Sequence, residues 1–159
     1  MATSIEESRI IDAIREIDII LARRKKYDKL SLYNKGRKKH LKQIAFHRAK
    51  KRNRWVFGGN RSGKTECGAV ETVWRLRGIH PYRENRADVV GWVVSPTYEV
   101  QREVAQAKIL SYLCPDYIED VVMQSGRKGA PEYGVIDYII VKNDMGGTSK
   151  LVFKSSDQG

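Results

Sequence analysis

The segment Gly58-Gly59-Asn60-Arg61-Ser62-Gly63-Lys64-Thr65 constrains this chain more than any other. It follows an apolar run, Trp55-Val56-Phe57, and precedes residues 65–76, which have helical composition and no proline. Glycine at 58 and 63 lets the backbone curl so that successive N–H groups converge on one point. A helix beginning at Gly63 adds its positive N-terminal end. Amides converging beside an ammonium and a hydroxyl suit a polyphosphate, and the Gly58-x4-Gly63-Lys64-Thr65 spacing is that of a Walker A loop. In such a loop Lys64 reaches the β- and γ-phosphates and the Thr65 hydroxyl ligates Mg²⁺. The expected ligand is a nucleoside triphosphate held by Gly58, Gly59, Asn60, Arg61, Ser62, Gly63, Lys64 and Thr65. The motif needs a strand before it and a helix after it, so Trp55-Val56-Phe57 is predicted to end a strand.

Charge is the second constraint. The net charge is +11, and residues 23–54 carry fifteen Lys or Arg against a single acid, Asp28. Half of the thirty basic residues thus lie in a fifth of the length, a block suited to a polyanion such as nucleic acid, or else a solvated basic arm. No apolar run approaches the roughly 20 residues of a membrane span. The N-terminus has no basic stretch leading into an apolar one, so no secretory signal is predicted. Cys67 and Cys114 form no metal-type spacing and are expected to be small buried residues. Asn60-Arg61-Ser62 matches a glycosylation sequon but lies within the phosphate loop.

Along the chain, Thr3 with Glu6 and Ser4 with Glu7 form overlapping capping boxes. Ile10, Ile14, Ile17 and Leu21 then mark one face of a helix expected to reach about Tyr27. Residues 28–40 are expected to be a basic connector, followed by a helix over about 38–51. Residues 89–94 are nearly all apolar, which predicts a strand buried on both faces of a parallel sheet. A helix is expected over 98–113, ended by Cys114-Pro115. Residues 135–142 and 150–154 predict a hairpin around Asn143-Asp144-Met145-Gly146-Gly147, with the strand through Phe153 rejoining the main sheet. Strand, helix, strand, helix in this order predicts a three-layer α/β domain with a mainly parallel sheet, preceded by basic N-terminal helices. The predicted division is a helical extension over 1–37 and a partial ATPase domain over 38–159.

Hydrolysis by such a domain needs a second apolar strand ending in an acid pair, one acid for Mg²⁺ and one for the attacking water. Residues 89–94 run into Ser95-Pro96, Ile139-Ile140-Val141 into Lys142-Asn143, and Leu151-Val152-Phe153 into Lys154-Ser155. None has the pattern. The end at Asp157-Gln158-Gly159 reads as an interruption within a domain, so the chain is expected to be the N-terminal piece of a longer protein, deficient in hydrolysis as it stands.

Four segments in order resemble the ATPase domain of the large terminase subunit, the motor that packages DNA into tailed-phage heads. They are Lys42-Gln43-Ile44-Ala45-Phe46-His47, the loop with its flanks from Phe57 to Glu66, Trp92-Val93-Val94-Ser95-Pro96-Thr97-Tyr98-Glu99-Val100-Gln101-Arg102, and Phe153-Lys154-Ser155-Ser156-Asp157-Gln158-Gly159. The resemblance spans roughly residues 40–159. It implies an additional-strand P-loop fold, ATP with Mg²⁺ as cofactors, and translocation of double-stranded DNA. It further implies a homo-oligomeric ring docked on the portal protein, working with the small terminase subunit in the host cytoplasm. The family's nuclease half has no counterpart here. By residue, Lys64 and Thr65 take the phosphate and metal roles and Gln43 the adenine contact. The γ-phosphate-sensing arginine of many terminases stands four places before the loop lysine, where this chain has Asn60. Arg61, one place later, inherits that role by resemblance or points at a neighbouring subunit or at DNA. Two further readings stay open: another P-loop translocase or helicase, and a basic nucleic-acid-binding module with a degenerate ATPase remnant.

Overall fold

A computed structural model of the chain describes residues 2–36, 40–125 and 134–156. The expected helix start at Lys38 and the end at Asp157-Gln158-Gly159 lie outside these residues, and the Thr3 and Ser4 capping boxes lie outside the described side chains. Helix α1 spans Ala2–Tyr27, as the isoleucine spacing predicts, and α2 is a short turn at Lys29–Leu32 inside the expected connector. Helix α3 spans Leu41–Arg48 and α4 Lys64–Arg77, followed by strand β1 at Val90–Ser95. The next helical stretch, α5 at Tyr98–Val100, continues through a π-helical Gln101–Gln106 into α6, Ala107–Tyr112. Strands β2 (Ile118–Met123), β3 (Ile136–Lys142) and β4 (Thr148–Ser155) complete the fold.

The sheet order is β1-β4-β3-β2. Only β1 and β4 run parallel, with Trp92 beside Val152, while β3 pairs antiparallel with both β4 and β2. The expected mainly parallel sheet is therefore corrected to a mixed one. The reason is local: the 143–147 loop folds β3 straight back onto β4, and β2, which the sequence reading passed over, joins β3 the same way. The strand through Phe153 does rejoin β1. Among the described residues the elements make two layers, since α4 and α6 cover one face of the sheet, rather than the expected three.

Period-2 burial shows which face that is. Along β4, Ser149, Leu151, Phe153 and Ser155 are buried, and the residues between them are half-exposed. Leu151 and Phe153 meet Val70, Val73 and Leu76 of α4, Ile109 of α6, and Ile136, Ile139 and Val141 of β3 in one cluster. Residues 89–94, expected to be covered on both faces, form an edge strand covered on one. Val90, Trp92 and Val94 face solvent, Trp92 at 71% exposure. The predicted strand at Trp55-Val56-Phe57 is not formed, and Trp55 and Phe57 are 81% and 88% exposed. An apolar run becomes a strand only when another strand supplies its backbone partners, and no described strand lies beside 55–57.

The π-helical turn has a clear cause. Gln101 and Gln106, five residues apart, are both buried. Gln101 Nε2 donates to the Ile136 carbonyl at 2.9 Å and Gln106 Nε2 to the Gly134 carbonyl at 2.9 Å, while Gln106 Oε1 accepts from the Ile136 N–H at 3.1 Å. A turn widened to i→i+5 brings both amides to one side, where they satisfy the backbone entering β3.

Helix α4 ends at Gly78, which has φ +65°. Asn143 Nδ2 donates to the Leu76 carbonyl at 3.0 Å, and the Asp144 N–H donates to the Arg77 carbonyl at 2.8 Å. The hairpin loop thus caps the helix. A Cβ at Gly78 would stand 2.4 Å from Asn143 Oδ1. Gly78→Ala is expected to cost about 2–3 kcal/mol through left-handed strain and displacement of Asn143. A urea midpoint unchanged by that substitution would contradict this account of the cap.

Candidate nucleotide site

The loop between residue 57 and α4 turns through left-handed conformations at Arg61 (φ +59°) and Gly63 (φ +78°). Gly63 is the residue before the first helical one; its backbone angle favours glycine, and a Cβ there would lie 2.6 Å from Gln43 Nε2 and displace that amide. The first amides of α4 have no intrahelical acceptor and point out of the helix start. Lys64 Nζ bends back over the loop and donates to the Gly58 and Gly59 carbonyls, each at 2.7 Å. Orphan amides and an ammonium at a helix start are the kind of donors that suit a polyphosphate, and the exposed Thr65 follows next in sequence.

Facing the loop is α3. Gln43, buried on it, donates from Nε2 to the Gly63 carbonyl at 3.1 Å. Its Oε1 accepts from Tyr33 Oη and Asn34 Nδ2, each at 3.1 Å. A cleft of about 570 Å³ opens between α3 and the loop, walled by Leu41, Phe46, Val56 and Phe57 and floored by Gly58, Gly59, Ser62, Gly63 and Lys64, with Gln43 at its side. An apolar wall meeting a few convergent polar groups is the usual make-up of a small-ligand site. The structure therefore brings Gln43, Gly58, Gly59, Ser62, Gly63 and Lys64 to one cavity. Asn60, Arg61 and Thr65 do not line it. Arg61 opens instead into a neighbouring depression with Tyr33, Asn34, Glu66 and Tyr112.

One turn along α3 from Gln43, His47 is fully buried, and it fixes the helix to α4. Its Nδ1 donates to Glu71 Oε2 at 2.7 Å, and His80 Nε2 donates to the same oxygen at 2.9 Å. Arg54 closes on the other oxygen, Oε1. The remaining ring nitrogens are also engaged. His80 Nδ1 accepts from the Tyr82 N–H at 3.1 Å, and His47 Nε2 faces Tyr33 Oη at 3.0 Å and Cys67 Sγ at 3.5 Å. Burial pushes the Glu71 carboxyl up, but the hydrogen bonds from His47, His80 and Arg54 outweigh it and hold Glu71 well below the usual carboxylate range. The ligand atoms of His47, Glu71 and His80 lie within 4.8 Å of one another, a spacing open to a metal ion. With both imidazole N–H groups and a guanidinium already on the carboxylate, the set satisfies itself as a clamp. Sequence reading missed this clamp, because its members come from three separate segments with no shared spacing. Cys67 and Cys114 are buried and free, as expected, and burial raises the Cys67 thiol.

A larger cleft of about 1240 Å³ lies further along α4, at Glu71, Thr72, Arg75 and Leu76. Lys50, Arg52 and Arg54 of the basic block line it together with Arg75, Arg83 and Arg86, against only Glu71 and Glu84. The last three arginines carried no sequence signal, since they stand outside the block and join it only through folding.

Comparison with known proteins gives two similar sequences. They are the terminase large subunits of Thermus phage G20c and of Thermus virus P23-45, each 33% identical over 75 residues. Over that stretch the chain is similar to a terminase large subunit. The matched part is 47% of this chain and 14% of each relative, so the chain spans a small share of the relatives' length. No family profile and no solved structure matches the chain. The likeness supports a relationship to terminase large subunits over part of the chain. Among the described residues, no helix is long and apolar enough to cross a membrane.

Proposed function

We propose that this chain is the nucleotide-binding part of a DNA-packaging terminase motor. Supporting this reading is a single cleft that gathers a Walker A loop, its lysine and Gln43, in a chain similar to terminase large subunits. Gly58, Gly59, Ser62, Gly63 and Lys64 would hold the phosphates of ATP, with Asn60 and Arg61 at the loop's outer turn. Thr65 would supply a hydroxyl to Mg²⁺, and Gln43 would read the adenine edge. When bound, ATP supplies the free energy for translocation. Hydrolysis, double-stranded DNA translocation, ring assembly, and docking on a portal and small subunit in the host cytoplasm are proposed for the longer terminase-like protein. The 1–37 extension and the 38–159 nucleotide-binding region are two proposed units of it. The 1240 Å³ basic cleft supports contact with a DNA backbone.

Calorimetric titration with Mg·ATP and Mg·GTP tests the nucleotide part. Wild type is expected to prefer ATP, and Gln43→Ala to reduce that preference roughly 10-fold, the loss of about one hydrogen bond. Equal affinity for both nucleotides in the wild type would remove Gln43 from base recognition. In the same samples, DNA affinity is expected to fall steeply with salt, and a flat salt dependence would argue against the basic cleft.

A further inference from the structure

Helix α1 is 26 residues long, and none of its described side chains belongs to the core. Its described tie to the rest of the chain is Arg23, which reaches Asp116 at 3.4 Å near the helix's C-terminal end. Ile10, Ile14, Ile17 and Leu21 are each more than half exposed, and Ile11 and Ile20 widen the same stripe. An isolated helix with a bare apolar face is marginal in water and gains its stability from a partner that covers that face.

We propose that α1 pairs antiparallel with α1 of a second copy of this chain, about an axis between Arg15 and Glu16. The spacing 10, 14, 17, 21 is that of alternating core positions in a two-helix seam. In the antiparallel register that centres the stripe, Ile10 faces Leu21 of the partner copy and Ile14 faces Ile17. Charge selects this orientation. Residues 6–18 contain five acids, Glu6, Glu7, Asp12, Glu16 and Asp18, against Arg9 and Arg15, whereas residues 23–26 are all basic. The register brings Glu6 and Glu7 level with residues 25 and 24 of the partner copy. A parallel pair would instead place the two basic runs side by side. The stripe offers roughly 600 Å² per helix, or roughly 1,200 Å² for the pair, the lower bound of a stable interface. The acids of 6–18 also set this helix apart from those that lie on anionic membranes, whose polar faces are rich in Lys and Arg.

Light scattering coupled to gel filtration on the full chain is expected to give twice the 18.2 kDa protomer mass. Ile14→Asp combined with Ile17→Asp is expected to return it to the protomer mass with the melting transition of the sheet domain unchanged, because no described side chain of α1 enters the core. For orientation, Ile10→Cys mixed with Leu21→Cys is expected to form a disulfide-linked dimer, whereas Ile10→Cys alone is not; Cys67 and Cys114 are buried and do not compete. A protomer mass at every concentration would overturn the proposal, as would a dimer that survives the double substitution or a disulfide-linked dimer formed by the Ile10→Cys variant on its own. Co-sedimentation with phosphatidylglycerol vesicles that depends on Ile14 and Ile17 would also overturn it.

Discussion

Replacing Lys64 by alanine is expected to weaken Mg·ATP binding by roughly 100-fold or more, the loss of about 3 kcal/mol of charge-assisted hydrogen bonding to phosphate. In the present structure the ammonium bonds to the Gly58 and Gly59 carbonyls and, at 3.4 Å, to Ser62 Oγ, at a half-exposed position outside the core. Its removal leaves those carbonyls to water and should not change the melting temperature. A loss of binding with no loss of stability would assign Lys64 to the ligand rather than to the fold. Unchanged ATP affinity in the variant would sink the Walker A assignment and leave the basic module as the better reading.

The largest effect on stability is expected from Glu71. Glu71→Ala leaves Arg54, which is only 13% exposed, without its counter-charge and strips the acceptor from two buried imidazoles. Breaking a buried pair by removing one partner costs about 3–5 kcal/mol, a large share of the roughly 5–15 kcal/mol that holds a domain folded. For a chain of this size that corresponds to a melting temperature lower by about 10 °C. The pH dependence identifies the cause. Glu71 titrates lower in the folded chain than its ordinary value of about 4.5, so its contribution is complete above that pH and drains away as pH falls toward the folded value. Wild type is expected to lose stability on acidification more steeply than Glu71→Ala, which has nothing left at this site to lose. Parallel acid limbs in the two proteins would show that the clamp does not stabilise the fold. Glu71→Ala should also loosen α3 and with it Gln43, giving a modest loss of ATP affinity that accompanies the loss of stability, whereas Lys64→Ala loses affinity alone.

The elements that read correctly from sequence are those whose pattern is self-contained. The helical spacing of residues 10–21 places α1, the Gly63-Lys64 start and the Gly78 stop bracket α4, and the 143–147 loop chemistry sets the β3–β4 hairpin. The errors come from segments whose state depends on neighbours. Trp55-Val56-Phe57 has strand composition without a described strand partner, β1 is covered on one face rather than both, and the sheet is mixed because β2 and β3 return antiparallel.

The candidate site divides along the same line. Chain chemistry alone determined the glycine-bearing turn that starts α4, since Gly63 and the helical residues after it are neighbours in sequence, and it determined the concentration of positive charge up to residue 54. Tertiary structure alone decided that Gln43 reaches Gly63, that Arg61 faces away from the loop's cleft, and that His47, Arg54 and His80 converge on Glu71. Each of those contacts joins residues from different segments. Only the packing of α3 and the 80–86 turn against α4 brings their polar atoms within hydrogen-bonding range, and local sequence holds no record of that distance.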